Sequence, residues 1–348
     1  MLSPDSARIR ALLRGGEPVE IGGSFPPAQP VAWKRPSPTH ITLAFAAIYL
    51  IWGSTYLGIR YAVETIPPLL MMGIRHLTAG TLLYAWVRRR GTPAPSRAHW
   101  INAAVAGAIL FLGAHGSLAW AEVKVPSGLA ALLSATLPFW IVLLAYLRGT
   151  EGNLGGRVIA GLLLGFAGVA LLIGPEGLRQ SGQADWLSAG AVLLGSFLWA
   201  VGATYTRSVK LPSSAVLSAA MQMLAGGIAL LLVGSLTEAR EFHPAAVSAK
   251  SVLALAYMIV FGSIIAFTAF TWLMTTSSAA RVSTYAYVNP VVAVFLGWAL
   301  AQEPVGLRTL AAAGVILAGV ALVSTRGKKS PVKLQTPPAR ELQAEAGD

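Results

Sequence analysis

Long apolar runs separated by short polar breaks fill the chain from Ile41 to residue 325. Each run approaches the roughly 20 apolar residues that a membrane-crossing helix needs. The breaks between the runs are rich in Gly, Pro, Ser and charged residues. The pattern predicts an all-α polytopic membrane protein with ten transmembrane helices, at about residues 41–59, 67–87, 99–121, 127–147, 155–174, 185–205, 213–236, 251–274, 279–301 and 306–325.

The most polar part of any of these runs is residues 283–290, Ser-Thr-Tyr-Ala-Tyr-Val-Asn-Pro. Hydrocarbon offers no partners for two phenols, an amide and two hydroxyls, so this stretch either packs among other helices or lines a wet cavity. Tyr285 and Asn289 are four residues apart and share a helix face. They are therefore better candidates for the cavity than Tyr287, which points elsewhere unless the proline distorts the turn.

The second half of the chain repeats the first. Matched positions recur at shifts of 147 to 152 residues: Trp52 with Trp199, Pro138 with Pro290, and residues 167–171 with residues 318–322. Each copy holds five spans, and an odd number of spans turns the second copy upside down relative to the first. The chain therefore divides into two inverted five-helix repeats, at 41–174 and 185–325. Such repeats are typical of secondary transporters that work around a site near the bilayer midplane.

Composition and charge agree with a membrane protein. Of the 348 residues 55% are hydrophobic and only 11% are charged, against about 25% charged in soluble domains, and the mean hydropathy is +0.64. The net charge of +12 lies in tails and connections rather than on an amphipathic face, which argues against a nucleic-acid partner. With the N-terminus inside, the cytoplasmic segments hold 19 Lys and Arg and the outer connections hold 6.

This asymmetry predicts an integral protein of the bacterial inner (plasma) membrane with both termini in the cytoplasm. Residues 1–40 carry seven prolines and no spanning run, and they are expected to form a disordered cytoplasmic tail. Residues 326–348 are expected to form a second cytoplasmic tail, first basic and then polar.

Arg75 is the sharpest single candidate for function, because it lies inside the second apolar run. A charge in a membrane helix costs about 2.5–3.5 kcal/mol on insertion scales and almost always faces protein or water. Arg75 could anchor a carboxylate or phosphate of a substrate. Equally, it could form a structural ion pair or bond to carbonyls exposed at a helix break.

Two histidines and a glutamate accompany it. His115 lies mid-span among small residues, where it could relay a proton, bind substrate or simply pack through hydrogen bonds. His76 follows Arg75 directly and so faces another direction, which favours packing. Glu122 lies near the outer end of the third run and is expected at the membrane interface.

Aromatic residues and prolines complete the candidate cavity. Trp52 and Tyr56 flank Gly53 and Ser54 in the first run, a composition suited to a wall that stacks on a substrate, although an interfacial aromatic belt is the alternative. Trp199 is the repeat mate of Trp52. Pro138 and Pro290 interrupt the fourth and ninth runs at matching places, which predicts kinks that serve packing first and gating second.

The fifth and tenth runs carry no polar side chain over residues 158–173 and 310–323. Gly161 and Gly165 have the small-xxx-small spacing of close helix packing. These two helices are expected to act as scaffold or as the seam of a homodimer, so the substrate should be sought on the other eight.

Other chemistry is not supported by the sequence. It has no cysteine, no G-x-x-x-x-G-K-[ST], no H-E-x-x-H and no G-x-S-x-G, so no cofactor, metal site or catalytic residue is predicted. The alternative from another class is an integral-membrane enzyme acting on a lipid-linked substrate. It would need an acid/base pair within a few ångströms, and the available side chains are those of Arg75, His76, His115 and Glu122.

Several phrases of the chain together resemble the EamA-type family of the drug/metabolite transporter superfamily, and closely its YedA-type branch of inner-membrane exporters. They are residues 51–56 (IWGSTY), 67–80 (PPLLMMGIRHLTAG), 125–128 (VPSG), 261–267 (FGSIIAF), 283–292 (STYAYVNPVV) and 297–303, which end in an acidic residue. The resemblance implies two inverted five-helix repeats, with spans 1–4 and 6–9 around a central cavity. It also implies export of metabolites, amino acids or drugs by secondary transport.

The sequence thus predicts a secondary transporter, not an enzyme, that exports a small molecule by alternating access, with an importer as the alternative within the superfamily. Proton antiport and uniport both stay open. The expected partners are a small-molecule substrate and the lipid bilayer. The predicted cavity residues are Trp52, Tyr56, Arg75, His115, Trp199, Tyr285, Asn289 and Tyr287.

Overall fold

The computed structural model describes residues 37–149, 156–179, 184–277, 282 and 285–324. In this part of the chain the regular secondary structure is entirely helical, as predicted. The helices are α1 (Pro38–Ala62), α2 (Pro68–Arg89), α3 (Arg97–Gly107, Ala108–His115 and Gly116–Glu122), α4 (Ser127–Ser134 and Leu137–Leu147), α5 (Gly156–Arg179), α6 (Ala184–Ser208), α7 (Ala215–Thr237), α8 (Ala249–Tyr257, Met258–Ile265 and Ala266–Thr276), α9 (Tyr285–Ala301) and α10 (Leu307–Ser324), with a short 3₁₀ turn at Pro244–Ala246. The predicted tails lie outside the described residues, apart from residues 37–40.

Among the described residues, six helices are long and apolar enough to cross a membrane: Pro38–Ala62, Arg97–Glu122, Ser127–Leu144, Trp186–Ser208, Ala215–Thr237 and Ala249–Phe270. Shorter apolar helices follow at Gly156–Gly168, Val288–Ala301 and Leu307–Leu322. Many large apolar side chains on the helices stay exposed, such as Leu232, Leu163 and Trp298. Because water would penalise so much apolar surface, these exposed faces suit contact with lipid.

Polar groups at the helix starts fix where the helices begin. Ser96, Ser214 and Ser248 cap α3, α7 and α8, each accepting a hydrogen bond from a backbone N–H three residues later. Two other starts are capped by carboxylates from distant segments. Glu238, just after α7, accepts from the backbone of α2, and Glu303, just after α9, accepts from the backbone of α4.

The helix pair α2 and α7 joins equivalent elements of the two repeats at close range. A Cβ atom on Gly80 would lie 2.8 Å from the backbone N of Leu224, and one on Gly227 would lie 2.5 Å from the backbone N of Leu77. These four residues are repeat mates at a shift of 147, so the contact is reciprocal. The residue numbers rise on one helix as they fall on the other, so the helices run antiparallel. An inverted repeat with a two-fold relation produces this arrangement.

The pair α5 and α10 shows the same pattern. A Cβ on Gly168 would lie 2.7 Å from Ile316, and one on Gly319 would lie 2.6 Å from the backbone N of Gly165. The small-residue stripe of α5 is therefore used within the chain, where it admits α10 closely. A homodimer through α5 and α10 would have to use other faces of these helices.

In the part of the chain that the structure describes, three irregular stretches interrupt the helices. Ala108–His115 in α3 and Met258–Ile265 in α8 are π-helical, and they are offset by 150 residues (108 to 258), so they occupy equivalent places in the repeats. The α4 helix breaks between Ser134 and Leu137, with Pro138 in the first turn of its second part. Pro290, by contrast, lies inside the single helix α9, so the two matched prolines do not interrupt their helices in the same way.

Candidate functional site

Arg75 is buried on α2 and points at the π-helical stretch of α8. Its Nε donates a hydrogen bond to Ser263 Oγ at 3.0 Å, and Nη1 lies 3.6 Å from Met258 Sδ and 3.9 Å from Met72 Sδ. A Cβ on Gly262 would lie 3.2 Å from Nη2, so the glycine leaves room for the guanidinium. In the described part of the chain, no carboxylate forms an ion pair with Arg75 and no carbonyl accepts a bond from it. The structural ion pair that the sequence left open is thus not seen there.

The same π-helical stretch anchors Trp52. The indole Nε1 donates to the Gly262 carbonyl at 3.1 Å, which fixes the ring beside the Arg75 site. The Trp52 ring lies 5.1 Å from Phe270 and 5.1 Å from Tyr285, in an edge-on arrangement with the latter. The structure therefore brings Trp52 and Tyr285 together, joining α1, α8 and α9.

His115 on α3 forms a pair with His76 on α2, the residue that follows Arg75 in the chain. His115 Nδ1 lies 2.9 Å from His76 Nε2, and the two rings stack with centroids 4.9 Å apart. His115 also stacks on Trp199 at 4.8 Å, and Phe111 packs on His76 at 4.3 Å. His76 points away from Arg75, as expected. It does not pack alone, however, because it bonds and stacks on His115. The two histidines lie within the few ångströms that the alternative, a membrane enzyme with an acid/base pair, would require. Aromatic side chains enclose both rings, however.

The remaining candidates take more structural roles. With its amide nitrogen as donor, Asn289 bonds the carbonyls of Tyr49 and Tyr285 at 3.2 Å each, which ties α9 to α1. Tyr56 is half-buried and faces Ser134 in α4, beside the helix break. Tyr287 belongs to α9, but its side chain lies outside the described residues, as do Ser283 and Thr284.

Glu122, expected at the membrane interface, is instead completely buried at the end of α3. Neither carboxylate oxygen has a hydrogen-bond partner in the described part of the chain. Arg60 lies beside it and donates from Nη1 to the backbone carbonyls of Glu122 (3.1 Å) and Val123 (3.0 Å). A glutamate at the end of an apolar run gives no sign of burial, because the sequence does not show which segments cover that end.

A polar pocket of about 390 Å³ opens at the same end of the bundle. Glu64 and Lys250 form an ion pair across it at 2.7 Å, and Lys250 also lies 3.7 Å from the centre of the Tyr61 ring. Its lining includes Arg60, Lys124 and Glu303.

Glu238, which caps α2, is buried near this end as well. Burial raises the pKa of the Glu238 carboxyl, and the backbone N–H groups of Leu70 and Leu69 oppose the rise. Its hydrogen bonds mark it as a structural cap, in contrast to the unpartnered Glu122.

Antiparallel equivalent helices, lipid-suited outer faces and a buried, partly satisfied cation define a polytopic membrane protein built like a transporter. The EamA-like transporter family model matches residues 40–174 and 186–325, so it matches each half of the chain separately. The chain belongs to the EamA-like transporter family, within the drug/metabolite transporter superfamily.

Similar proteins agree with this assignment. The chain is 40% identical over 286 residues to the "Uncharacterized inner membrane transporter YedA" of Escherichia coli strain K12, covering 82% of this chain and 90% of that protein. It is 27% identical over 293 residues to the "Uncharacterized transporter YvbV" of Bacillus subtilis strain 168, covering 83% and 93%. A crystal structure with 21% sequence identity matches at a TM-score of 0.56 over 82% of this chain and 96% of that chain, which supports the fold. The protein is an integral protein of the bacterial inner membrane.

Proposed function

We propose that this protein is a secondary transporter that exports small metabolites, amino acids or drugs by alternating access. In this proposal ten helices cross the membrane as two inverted repeats, and both termini lie in the cytoplasm. The reciprocal, antiparallel contacts of α2 with α7 and of α5 with α10 support the inversion. Export as the direction comes from the resemblance to the YedA-type branch.

The observation that carries the proposal is the environment of Arg75. A guanidinium has five N–H donors, and the one oxygen that accepts from Arg75 among the described residues is Ser263 Oγ. A buried cation with so few partners is costly, and a carboxylate or phosphate of the substrate would satisfy it. Stabilising an anion is therefore the role we assign to Arg75.

The aromatic side chains beside Arg75 would hold the rest of the substrate. Trp52 and Tyr285 form one wall, and Trp199, which stacks on His115, would form another. Flat rings suit stacking on apolar or conjugated groups. The proposed substrate thus combines one anionic group with a compact apolar or aromatic body.

A metabolite export profile tests the proposal. Cells with the protein should lose a compound that cells without it retain, and Arg75→Ala should abolish this difference while the protein level in the membrane stays near that of the wild type. Loss of the protein from the membrane would show that Arg75 is structural. A broad panel of amino acids and other small carboxylates and phosphates that gives no difference would count against transport itself.

A further inference from the structure

Three carboxyl groups at one end of the bundle differ in their hydrogen-bond partners. Glu238 and Glu303 each accept hydrogen bonds from two backbone N–H groups at a helix start. Glu122 is more deeply buried than either, with none of its surface exposed, and neither of its oxygens has a partner among the described residues. An ionised carboxylate without hydrogen bonds is strongly disfavoured in a protein interior. We propose that Glu122 is a proton-binding site that couples substrate export to inward movement of a proton, which rests on the transport function proposed above.

The charged groups around Glu122 come from three elements. Arg60 on α1 and Arg75 on α2 attract its negative form, and Glu303 after α9 repels it. The Tyr56 phenol on α1 also faces it. The helices α4 and α6 also pack against the end of α3. Neither has an ionisable side chain there, over residues 127–145 of α4 and 186–204 of α6. Because cations and an anion oppose each other here, a small displacement of Arg60 or Glu303 changes whether the carboxyl holds its proton.

Arg60 connects this site to the polar pocket, which lies at the outer face in the proposed topology. It lines the pocket and is tied to the backbone of Glu122 and Val123 at the end of α3. When this end of the bundle opens, water reaches the Glu122 carboxylate, which takes up one proton and becomes the neutral acid. When the opposite end opens, the acid releases the proton to the cytoplasmic side and the carboxylate returns. Substrate leaves in the opposite direction, so no other reactant is required.

The histidine pair is less suited to carry this proton. His76 and His115 already share a hydrogen bond and are enclosed by Phe111 and Trp199. A proton on either ring would add a second cation next to Arg75, since His76 is its neighbour in the chain. In the described residues neither imidazole pairs with a carboxylate that could offset the charge.

Infrared difference spectroscopy during a pH titration tests the proton site directly. The full-length protein is reconstituted in lipid, and the carbonyl band of a protonated carboxylic acid is followed. The wild type should show a band from a carboxyl that stays protonated when exposed carboxyls have ionised. Glu122→Gln should lose that band, whereas Glu64→Gln, which alters an exposed glutamate, should keep it.

An unchanged band in Glu122→Gln would overturn the proposal. If Glu122→Gln fails to fold, Glu122→Asp decides instead, because an aspartic acid at this site should shift the frequency of the band without removing it. An identical frequency in wild type and Glu122→Asp would then overturn the proposal.

Proton movement in liposomes separates this inference from the transport function. Liposomes carrying the protein and a trapped pH-sensitive dye receive a panel of amino acids and other small carboxylates and phosphates. Any compound that moves should drive proton counter-movement in wild type and Glu64→Gln and none in Glu122→Gln. A compound that moves without protons in the wild type would refute the coupling and leave transport standing. If no compound moves, the transport function fails, and the infrared titration still decides whether Glu122 binds a proton.

Discussion

Among the described residues, Arg75 and Glu122 are buried charged side chains that the surrounding structure leaves incompletely satisfied. Arg75 interacts with one hydroxyl and two thioether sulfurs in the described residues, and Glu122 has no hydrogen-bond partner there. Structural charges in membrane helices normally find partners, because hydrocarbon supplies none. Incomplete satisfaction at these two positions is therefore the physical basis for giving them functional roles.

Gly262 should control the position of Arg75. A methyl group there would lie 3.2 Å from the Arg75 Nη2 and 2.9 Å from Thr55 Cγ2, so Gly262→Ala must displace one of them. We expect the substrate concentration for half-maximal export to rise about tenfold, equivalent to about 1.4 kcal/mol of binding free energy. Export kinetics in cells or liposomes measure this.

Gly190→Ala is the matched control, since a Cβ at that helical position meets nothing within 4 Å. It should leave export unchanged. Equal kinetics for Gly262→Ala and the wild type would mean that Arg75 has room to move without loss of function.

Sequence reasoning identifies Arg75 because a cation inside an apolar run is conspicuous. It also separates Arg75 from His76, since adjacent residues on a helix point about 100° apart. It does not tell which helix each side chain meets, so the pairing of His76 with His115 was not predicted. Glu122 was misplaced because it stands at the end of a run, where an interfacial and a buried carboxylate look alike in sequence.

At the scale of the helices, the lengths of the apolar runs and the polar breaks between them place the elements well. The second run, expected at 67–87, is observed as Pro68–Arg89, and the first run, expected at 41–59, as Pro38–Ala62. The two π-helical stretches were not predicted, because their residues are as apolar as the flanking turns. Both lie beside the proposed cavity. This agrees with the general finding that π-helical turns are frequent at functional sites.

The α5–α10 contact should be sensitive to one methyl group. A Cβ on Gly319 would meet the backbone of Gly165 and Gly161 at 2.6 and 2.7 Å, and backbone atoms cannot rotate away. We expect Gly319→Ala to destabilise the protein by about 1–3 kcal/mol, as overpacking does in other cores. Thermal unfolding in detergent measures the change.

Gly314→Ala lies on the same helix and meets nothing within 4 Å, so its melting temperature should match that of the wild type. If both variants melt alike, the close packing of α5 against α10 does not contribute to stability.

At the scale of the whole molecule, the internal repeat was the most informative feature of the sequence. The contacts of α2 with α7 and of α5 with α10 come in reciprocal pairs that shifts of 147 and 151 residues interchange, so the packing follows the sequence repeat. The repeat could not show which side chains of the two halves differ in chemistry. Arg75 is equivalent to Gln222, which bonds Ser218 at 2.9 Å, so the symmetric scaffold holds an asymmetric site.

The proposed topology can be read with single cysteines, because the chain contains none. Lys124→Cys lies between α3 and α4 and should react with a membrane-impermeant maleimide in intact cells. Thr92→Cys lies between α2 and α3 and should react only after the membrane is opened. If Thr92→Cys reacted in intact cells and Lys124→Cys did not, the N-terminus would lie outside. The polar pocket would then no longer belong to the outer face.

Counterflow in proteoliposomes tests the central claim most directly, namely that Arg75 binds an anionic substrate for transport. Purified wild-type protein, Arg75→Ala and Arg97→Ala are compared, Arg97 being an exposed arginine at the start of α3. The labelled compound is the anionic metabolite that the export profile identifies. We expect accumulation with the wild type and Arg97→Ala and none with Arg75→Ala. Equal accumulation by Arg75→Ala and the wild type would contradict it.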